Sequence, residues 1–251
     1  MDKKLFITHG GQKLCALYRP VGSYSDSLVV MAHGGPGGDK HGPLGLFDLL
    51  AEKLEMELGL SSLRFDFRGY GESDGTPLDM TVRSRAEELG SVMAWTRERG
   101  YRRIALVAES LGASVALLGE RPEVDVLALL WPALVLAETD LKAYFAPEKE
   151  RELGKNGFLL EGKIPISAAF VRECRNLDLT PALGQVRLPT LIVHGDADRC
   201  VPVEQSRRAC DRIPGTKKLV IVPGEGHSLG RPAERTVVLE SVLEWLGAYL
   251  G

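Results

Sequence analysis

The stretch Ile104-Ala105-Leu106-Val107-Ala108-Glu109-Ser110-Leu111-Gly112 decides how this chain is read. Ile104–Ala108 is a short apolar run of the kind that makes a buried strand, and a short helix is expected after it. The junction, Ala108-Glu109-Ser110-Leu111-Gly112, is a G-x-S-x-G pattern with alanine in the first place. A strand that turns this sharply into a helix strains the serine backbone. The flanking residues must be small, because the helix passes close to the strand. The gain is geometric: the hydroxyl stands at the carboxyl edge of a sheet, and the amides that follow point at one spot. Taken alone, the pattern fits equally a serine that opens an ordinary helix as its cap, so the neighbouring segments must decide.

Working outward, Ser27–Ala32 (Leu28, Val29, Val30, Met31) is another buried-strand run, ending in a glycine loop. Ser61–Phe67 is a third, followed by the glycine-rich loop from Arg68 to Gly75. Val124–Trp131, Thr190–His194 and Lys217–Val222 continue the series. Lys4–Thr8 and Lys13–Arg19, separated by Gly10-Gly11, read as a hairpin. Leu46–Leu58 has helical spacing. Between Thr81 and Arg99 the apolar positions Val82, Ala86, Leu89 and Met93 form one helix face. Pro122 is expected to stop the helix after Ser110. A further helix is expected between the last two strands, and the final one places Val238, Val242, Trp245, Leu246 and Tyr249 on one side. Strands alternating with helices predict an α/β fold, with a mainly parallel sheet covered on both faces. Residues 135–183 break the rhythm. Charged stretches such as Glu148–Glu152 alternate with Phe158, Leu159, Leu160, Ile164, Ile166 and Phe170, which predicts a small cap inserted between core segments 1–134 and 184–251.

Two later loops complete the pattern. His194-Gly195-Asp196-Ala197-Asp198-Arg199-Cys200-Val201-Pro202 is an acidic turn after a strand, and Pro223-Gly224-Glu225-Gly226-His227 ends the next strand. Loops beyond the carboxyl ends of parallel strands meet on one sheet edge, so residues far apart in sequence can converge there. Ser, then Asp, then His in that order is the triad arrangement of the α/β-hydrolases. The chain resembles that superfamily over nearly its whole length. The resemblance is carried by His33-Gly34-Gly35-Pro36-Gly37, Asp66-Phe67-Arg68-Gly69-Tyr70-Gly71-Glu72-Ser73, the Ser110 turn, His194-Gly195-x-x-Asp198-x-x-Val201-Pro202 and Gly226-His227. Alanine at 108 departs from the commonest pattern, but it is small enough to keep the turn.

The resemblance implies roles. Ser110 would be the nucleophile, His227 the base that takes its proton and returns it to the leaving group, and Asp198 the acid that orients the imidazole. Asp196 competes for the last role; the family pattern before Val201-Pro202 selects Asp198. The amides of Leu111 and, by resemblance, Gly35 would hold the oxyanion. Pro36 has no N–H and cannot serve. His33, Asp66, Arg68, Ser73 and His194 are expected to brace the surrounding loops, and Cys200 to pack. Glu109 is open between a salt-bridged or solvated carboxylate and a substrate contact.

A serine rather than an aspartate at the turn disfavours dehalogenase and epoxide hydrolase chemistry and leaves acyl transfer, with esters, thioesters, amides and peptides all fitting. The His33–Gly38 loop also resembles the proline iminopeptidases, but those have tryptophan after the nucleophile, where Leu111 stands here, and a much larger cap. The compact cap looks more like bacterial carboxylesterases, including the feruloyl (cinnamoyl) esterases, and monoacylglycerol-lipase-like enzymes. Phe145, Phe158, Leu160 and Phe170 either line a pocket for a short or aromatic acyl group or simply fasten the lid. The expectation is a carboxylesterase acting on a small-molecule ester. A proline-iminopeptidase-like peptidase and a non-catalytic ligand-binding scaffold are the alternatives, and transfer to an alcohol is not separable from hydrolysis.

Composition limits the rest. At 251 residues the chain suits one catalytic domain. With 31 Lys and Arg against 34 Asp and Glu, the net charge is −3, which gives no basic face for nucleic acid. Gly (28) and Pro (14) together exceed the average share of ~12% and imply many tight loops. Cys15, Cys174, Cys200 and Cys210 form no C-x-x-C pair, and the five histidines lack metal spacing, so neither a metal nor a cofactor is expected. The absence of a leader-like segment and of any run of ~18 apolar residues predicts a reduced, cytoplasmic protein without a membrane span. A homodimer stays open.

Overall fold

The computed structural model describes residues 1–22, 26–118, 124–228 and 230–250. In chain order the elements are β1 (Lys3–His9), β2 (Gln12–Arg19), β3 (Ser27–Ala32), α1 (Leu46–Leu58), β4 (Ser61–Phe65), α2 (Val82–Glu98), β5 (Arg103–Glu109), α3 (Leu111–Leu117) and β6 (Val126–Leu130). Then come α4 (Pro147–Asn156), β7 (Phe158–Glu161), β8 (Ile164–Ser167), α5 (Ala168–Asn176), α6 (Thr180–Leu183), β9 (Thr190–Gly195), α7 (Glu204–Arg212), β10 (Lys217–Val222) and α8 (Pro232–Leu250). Pro122 lies outside the described residues; α3 itself ends at Leu117.

Among the described residues eight strands form one sheet in the order β1-β2-β4-β3-β5-β6-β9-β10. The β1–β2 hairpin and the β2–β4 pair are antiparallel, and every pairing from β4 to β10 is parallel. This is the expected architecture, an α/β-hydrolase sheet. All residues of β3, β6 and β9 are buried, as continuous apolar strands under helices on both faces must be. One face packs against Leu89, Val92 and Met93 of α2 and Ala113 and Val115 of α3. The other packs against Leu46, Phe47, Leu50 and Leu54 of α1 and Val238, Val242 and Leu246 of α8. Thr81 caps α2, its hydroxyl accepting from Ser84 N–H.

Two strands are shorter than their apolar runs suggest. β4 stops at Phe65 because Asp66 is taken by other partners: its carboxylate accepts from the Lys40 amide and ammonium, each at 2.7 Å, and from the Glu72 amide at 2.9 Å. β6 stops at Leu130 because Trp131 turns to φ 38°. The inner face of α2 also differs from its apolar stripe, since Arg85 and Glu88, both 1% exposed, share it with Leu89 and Met93. Periodicity counts apolar residues and is blind to charges buried for other reasons.

The register brings the strand ends together. Ala32 pairs with Ala108, Glu109 with Leu130, Leu130 with Val193, and Gly195 with Val222. Loops leaving β3, β5, β6, β9 and β10 therefore start at one level on one edge. The segment expected as a cap, 135–183, folds as 3-10 turns at Leu136–Glu138 and Asp140–Phe145, then α4, the β7–β8 hairpin, α5 and α6. No helix among the described residues is long and apolar enough to cross a membrane.

Candidate active site

Ser110 sits between β5 and α3 with φ 53° and ψ −119°. A non-glycine residue there costs on the order of 1–3 kcal/mol, tolerated only where its surroundings dictate it. Here they do. Ser110 N–H donates to Leu130 O at 2.9 Å, while Ser110 O accepts from Ala113 N–H at 3.1 Å and Ala133 N–H at 3.2 Å. The turn also needs Gly112, where a Cβ would stand 2.5 Å from the Ala32 carbonyl oxygen. Ala108 is fully buried and takes the first small position.

The Ser110 hydroxyl donates to His227 Nε2 at 3.1 Å, and His227 Nδ1–H donates to Asp198 Oδ2 at 2.7 Å. Asp198 is the carboxylate brought to the histidine; Asp196 instead accepts from Gly224 N–H at 2.6 Å and shapes the neighbouring turn. Asp198 Oδ1 accepts the amides of Cys200 and Val201 at 2.8 and 3.0 Å, and Oδ2 accepts a second imidazole proton from His194 Nε2 at 3.0 Å. His194 is itself pinned by Ser206 at 2.6 Å. Burial raises the Asp198 pKa, but the hydrogen bonds from His194 and His227 outweigh it and hold the carboxyl well below its ordinary value. Burial pulls the His227 pKa down. The bond to Asp198 and its charge, with Glu109 and Asp140 adding to it, prevail and raise the imidazole.

A cavity of about 680 Å³ opens over these groups. Its sheet-side wall holds Gly35, Pro36, Ser110, Leu111, Ala133 and His227, so the two expected oxyanion residues flank Ser110 there. Its outer wall comes from the segment after β6: Thr139, Asp140, Leu141, Ala143, Tyr144 and Glu161. Of the two readings of Phe145, Phe158, Leu160 and Phe170, lining the pocket or fastening the lid, the first does not hold, since none of the four lines the cavity. Phe170 is fully buried, Leu160 is 52% exposed, and Phe145 lies under the Arg175 guanidinium, 4.9 Å from ring centre to charge. Phe158 does not reach the cavity either; it is half-buried on the β7–β8 hairpin. Phe170 joins the same apolar cluster as the sheet and α2, with Leu159 and Ile166, and a tyrosine and carboxylates are left on the cavity side.

Glu109 is resolved as a brace. Its carboxylate accepts the Gly34 amide and, at 2.9 Å, the Trp131 indole N–H, and it is 5% exposed. Trp131, which the sequence did not single out, meets the His227 ring edge-on at 6.2 Å. Its position at the end of a predicted strand on the active edge was the available signal. His33, Asp66, Arg68 and Ser73 tie loops together as expected: His33 Nε2 accepts from Phe67 N–H at 3.2 Å, Arg68 N–H reaches Glu88 at 2.9 Å, and Ser73 joins Asp66 O at 2.7 Å to Cys15 N–H at 2.8 Å. Cys200 lies on the cavity wall rather than in packing. Asp198, Cys200 and His227 place three ligand-type atoms within 4.8 Å, but Asp198 and His227 are spent on each other and burial pushes the Cys200 thiol up to about 12, away from the thiolate a metal wants.

A model of the alpha/beta hydrolase family matches residues 29–238. The chain is 28% identical to an uncharacterized protein, Rv2307c, of Mycobacterium tuberculosis, over 95% of this chain and 76% of that one. It is 28% identical to the mitochondrial palmitoyl-protein thioesterase ABHD10 of Mus musculus, over 76% and 66%. Among solved structures, Est1E from Butyrivibrio proteoclasticus with ferulic acid bound superposes with a TM-score of 0.79 at 25% identity, covering 98% of this chain and 99% of that one.

Proposed function

The chain belongs to the alpha/beta hydrolase family, and from that premise we propose that it is a carboxylesterase cleaving short-chain or aromatic esters through an acyl-enzyme on Ser110. The observation that carries this reading is the continuous path Ser110–His227–Asp198, with steps of 3.1 and 2.7 Å, opening on a cavity large enough for a small ester. A serine hydroxyl is inert at its free pKa. His227 Nε2 takes the proton as Oγ attacks the carbonyl carbon, and the carbonyl electron pair moves onto oxygen. Asp198 keeps Nδ1 protonated, leaving Nε2 to act as the base, and balances the imidazolium. The Gly35 and Leu111 amides receive the oxyanion, each donor being worth on the order of 3 kcal/mol of barrier. His227 then protonates the leaving alkoxide, and water repeats the sequence on the acyl-enzyme.

The likeness to a structure with ferulic acid bound supports an aromatic acyl group, and the cavity wall supports a neutral one: Asp39, Glu109, Asp140 and Glu161 line it without a lysine or arginine among the described lining residues. Asp39, Asp140 and Glu161 also favour a second reading, since they would receive the free ammonium of a peptide substrate. The test is hydrolysis of p-nitrophenyl acetate, a hydroxycinnamate ester and a proline amide by wild type and Ser110→Ala. Ester turnover that falls about 10⁴-fold in the variant supports the proposal. Wild-type rates in Ser110→Ala overturn it, and proline-amide cleavage without ester turnover moves it to the second reading.

A further inference from the structure

Arg85 is a charge in the wrong place for stability. It lies on the sheet-facing side of α2, 1% exposed, and its Nε and Nη2 have no hydrogen-bond partner. Its guanidinium carbon stands 4.7 Å from the ring centres of both Phe67 and Tyr70. Replacing such a buried ion with an apolar side chain of similar volume is often neutral or stabilising. No carboxylate pairs with it by direct contact among the described residues, so its presence calls for another reason.

The hydrogen bond it does make supplies one. Arg85 Nη1 donates to Gly34 O at 2.9 Å. That oxygen accepts a second donor: His33 Nε2 is occupied by the Phe67 amide, so Nδ1 carries the proton and donates to Gly34 O at 2.7 Å. Gly34 C=O and Gly35 N–H belong to one peptide unit, where they point in opposite directions. Two donors anchoring the oxygen on the core side therefore aim the Gly35 N–H at the cavity. A charged donor on the carbonyl also polarises the peptide and makes its N–H a stronger donor. The fit is close: a Cβ on Gly35 would lie 2.8 Å from Arg85 Nη2, so a side chain there would have to displace the guanidinium. Glu109 holds the Gly34 N–H of the preceding peptide, so Gly34 is fixed on both sides of its Cα and a flip of the Gly34–Gly35 peptide would break the two bonds to Gly34 O.

Resting on the proposed esterase reading, we infer that Arg85 is a positioning residue of the oxyanion hole, clamping and polarising the Gly34–Gly35 peptide so that its N–H meets negative charge developing on the substrate oxygen. The cation also lies behind that oxygen in a dry interior, where its field is weakly screened. It touches no substrate and acts wholly through the peptide.

The test uses Arg85→Met, Arg85→Gln and Arg85→Lys in the full chain, with p-nitrophenyl acetate and an aryl trifluoromethyl ketone. The ketone reports the oxyanion: Ser110 Oγ bonds to its carbonyl carbon, the hydroxyl proton passes to His227, and the C=O electron pair becomes an alkoxide in the hole. For Arg85→Met the expected result is a kcat lower by about 30-fold at little-changed KM, unchanged or raised Tm, and ketone affinity falling in parallel with kcat/KM. Arg85→Lys should recover part of the loss, and Arg85→Gln less. Retention of kcat within a few-fold in a folded Met variant overturns the inference. So does a loss that appears in KM while ketone affinity is kept, or failure of all three variants to fold, which would make Arg85 a packing element. Ser110→Ala in the same assay separates the two levels: if it stays active, the esterase reading fails; if it is dead while Arg85→Met is normal, only the role of Arg85 fails.

Discussion

The two walls of the cavity are built on different principles. On the sheet side every group is fixed by several hydrogen bonds, from main chain or from buried side chains. Ser110 is held through three backbone hydrogen bonds, Asp198 through two amides and two imidazoles, and Gly34 by bonds at both its N–H and its C=O. On the outer side the wall is a 3-10 turn and a hairpin edge, and its carboxylates Asp140 and Glu161 are exposed. The first wall tolerates almost no change, since chemistry fails when a reacting atom moves by an ångström. The second needs only to offer a surface. On the proposed function, the contrast would place the reaction on the sheet side and the choice of substrate on the outer wall, and that division can be broken experimentally.

The harshest test removes the base. His227→Ala should lower kcat/KM by about 10⁴-fold or more, while the circular dichroism spectrum and Tm stay near wild type, because the ring is partly exposed and the buried Asp198 carboxylate keeps its bonds from His194 and the Cys200 and Val201 amides. A small loss would show that the sheet-side wall does not carry the chemistry. Gly112→Ala probes the same wall through stability. The new Cβ meets a backbone oxygen at 2.5 Å that cannot yield without moving the end of β3. A destabilisation of about 2–3 kcal/mol in urea unfolding is expected, with activity lost alongside. An unchanged midpoint would mean the turn is looser than its geometry.

The pH profile is a milder probe. His227 must be neutral to act as base, and its pKa is raised, burial being outweighed by Asp198. The acid limb of kcat/KM should therefore have its midpoint above the ordinary histidine value of about 6.5. In Asp198→Asn the raising partner is gone while burial remains, so the midpoint of the residual activity should move down. A midpoint that stays put in the variant would disconnect the carboxylate from the base.

The same division explains what could be read in advance. Ser110, Asp198 and His227 stand after apolar strand runs, and their small or turn-forming neighbours (Ala108, Gly112, Gly195, Gly226) are dictated by backbone clearance, which leaves a mark on sequence. The β3, β5 and α1 segments were legible for the same reason, since burial on both faces forces continuous or periodic apolar residues. The aromatics of 135–183 were not, because a phenylalanine carries no sign of whether it faces a cavity or the core; Phe170 is in the core and Tyr144 on the cavity wall. Arg85 and Trp131 escaped notice because each matters through one three-dimensional contact, Gly34 O and Glu109 respectively, that no local pattern encodes.

The smallest effect concerns the outer wall, and it sharpens the comparison most. If the cap only selects, then removing its charges should alter preference without altering the chemical step. Asp140→Asn with Glu161→Gln should leave turnover of a neutral ester nearly unchanged. Esters bearing a distal carboxylate on the acyl chain should gain about 3-fold in kcat/KM relative to a neutral isostere, since each exposed charge contributes at most about 1 kcal/mol. The wild-type penalty against the anionic ester should shrink in the same direction as salt is raised from low ionic strength, with the Debye length falling to about 8 Å at 0.15 M. The double variant should show little salt response. Asp140 also adds to the raised His227 pKa, so its loss should lower the acid-limb midpoint slightly for all substrates alike, a signature distinct from selection. An unchanged preference in both experiments would mean that substrate choice is made on the sheet side as well, and the two walls would no longer be separable.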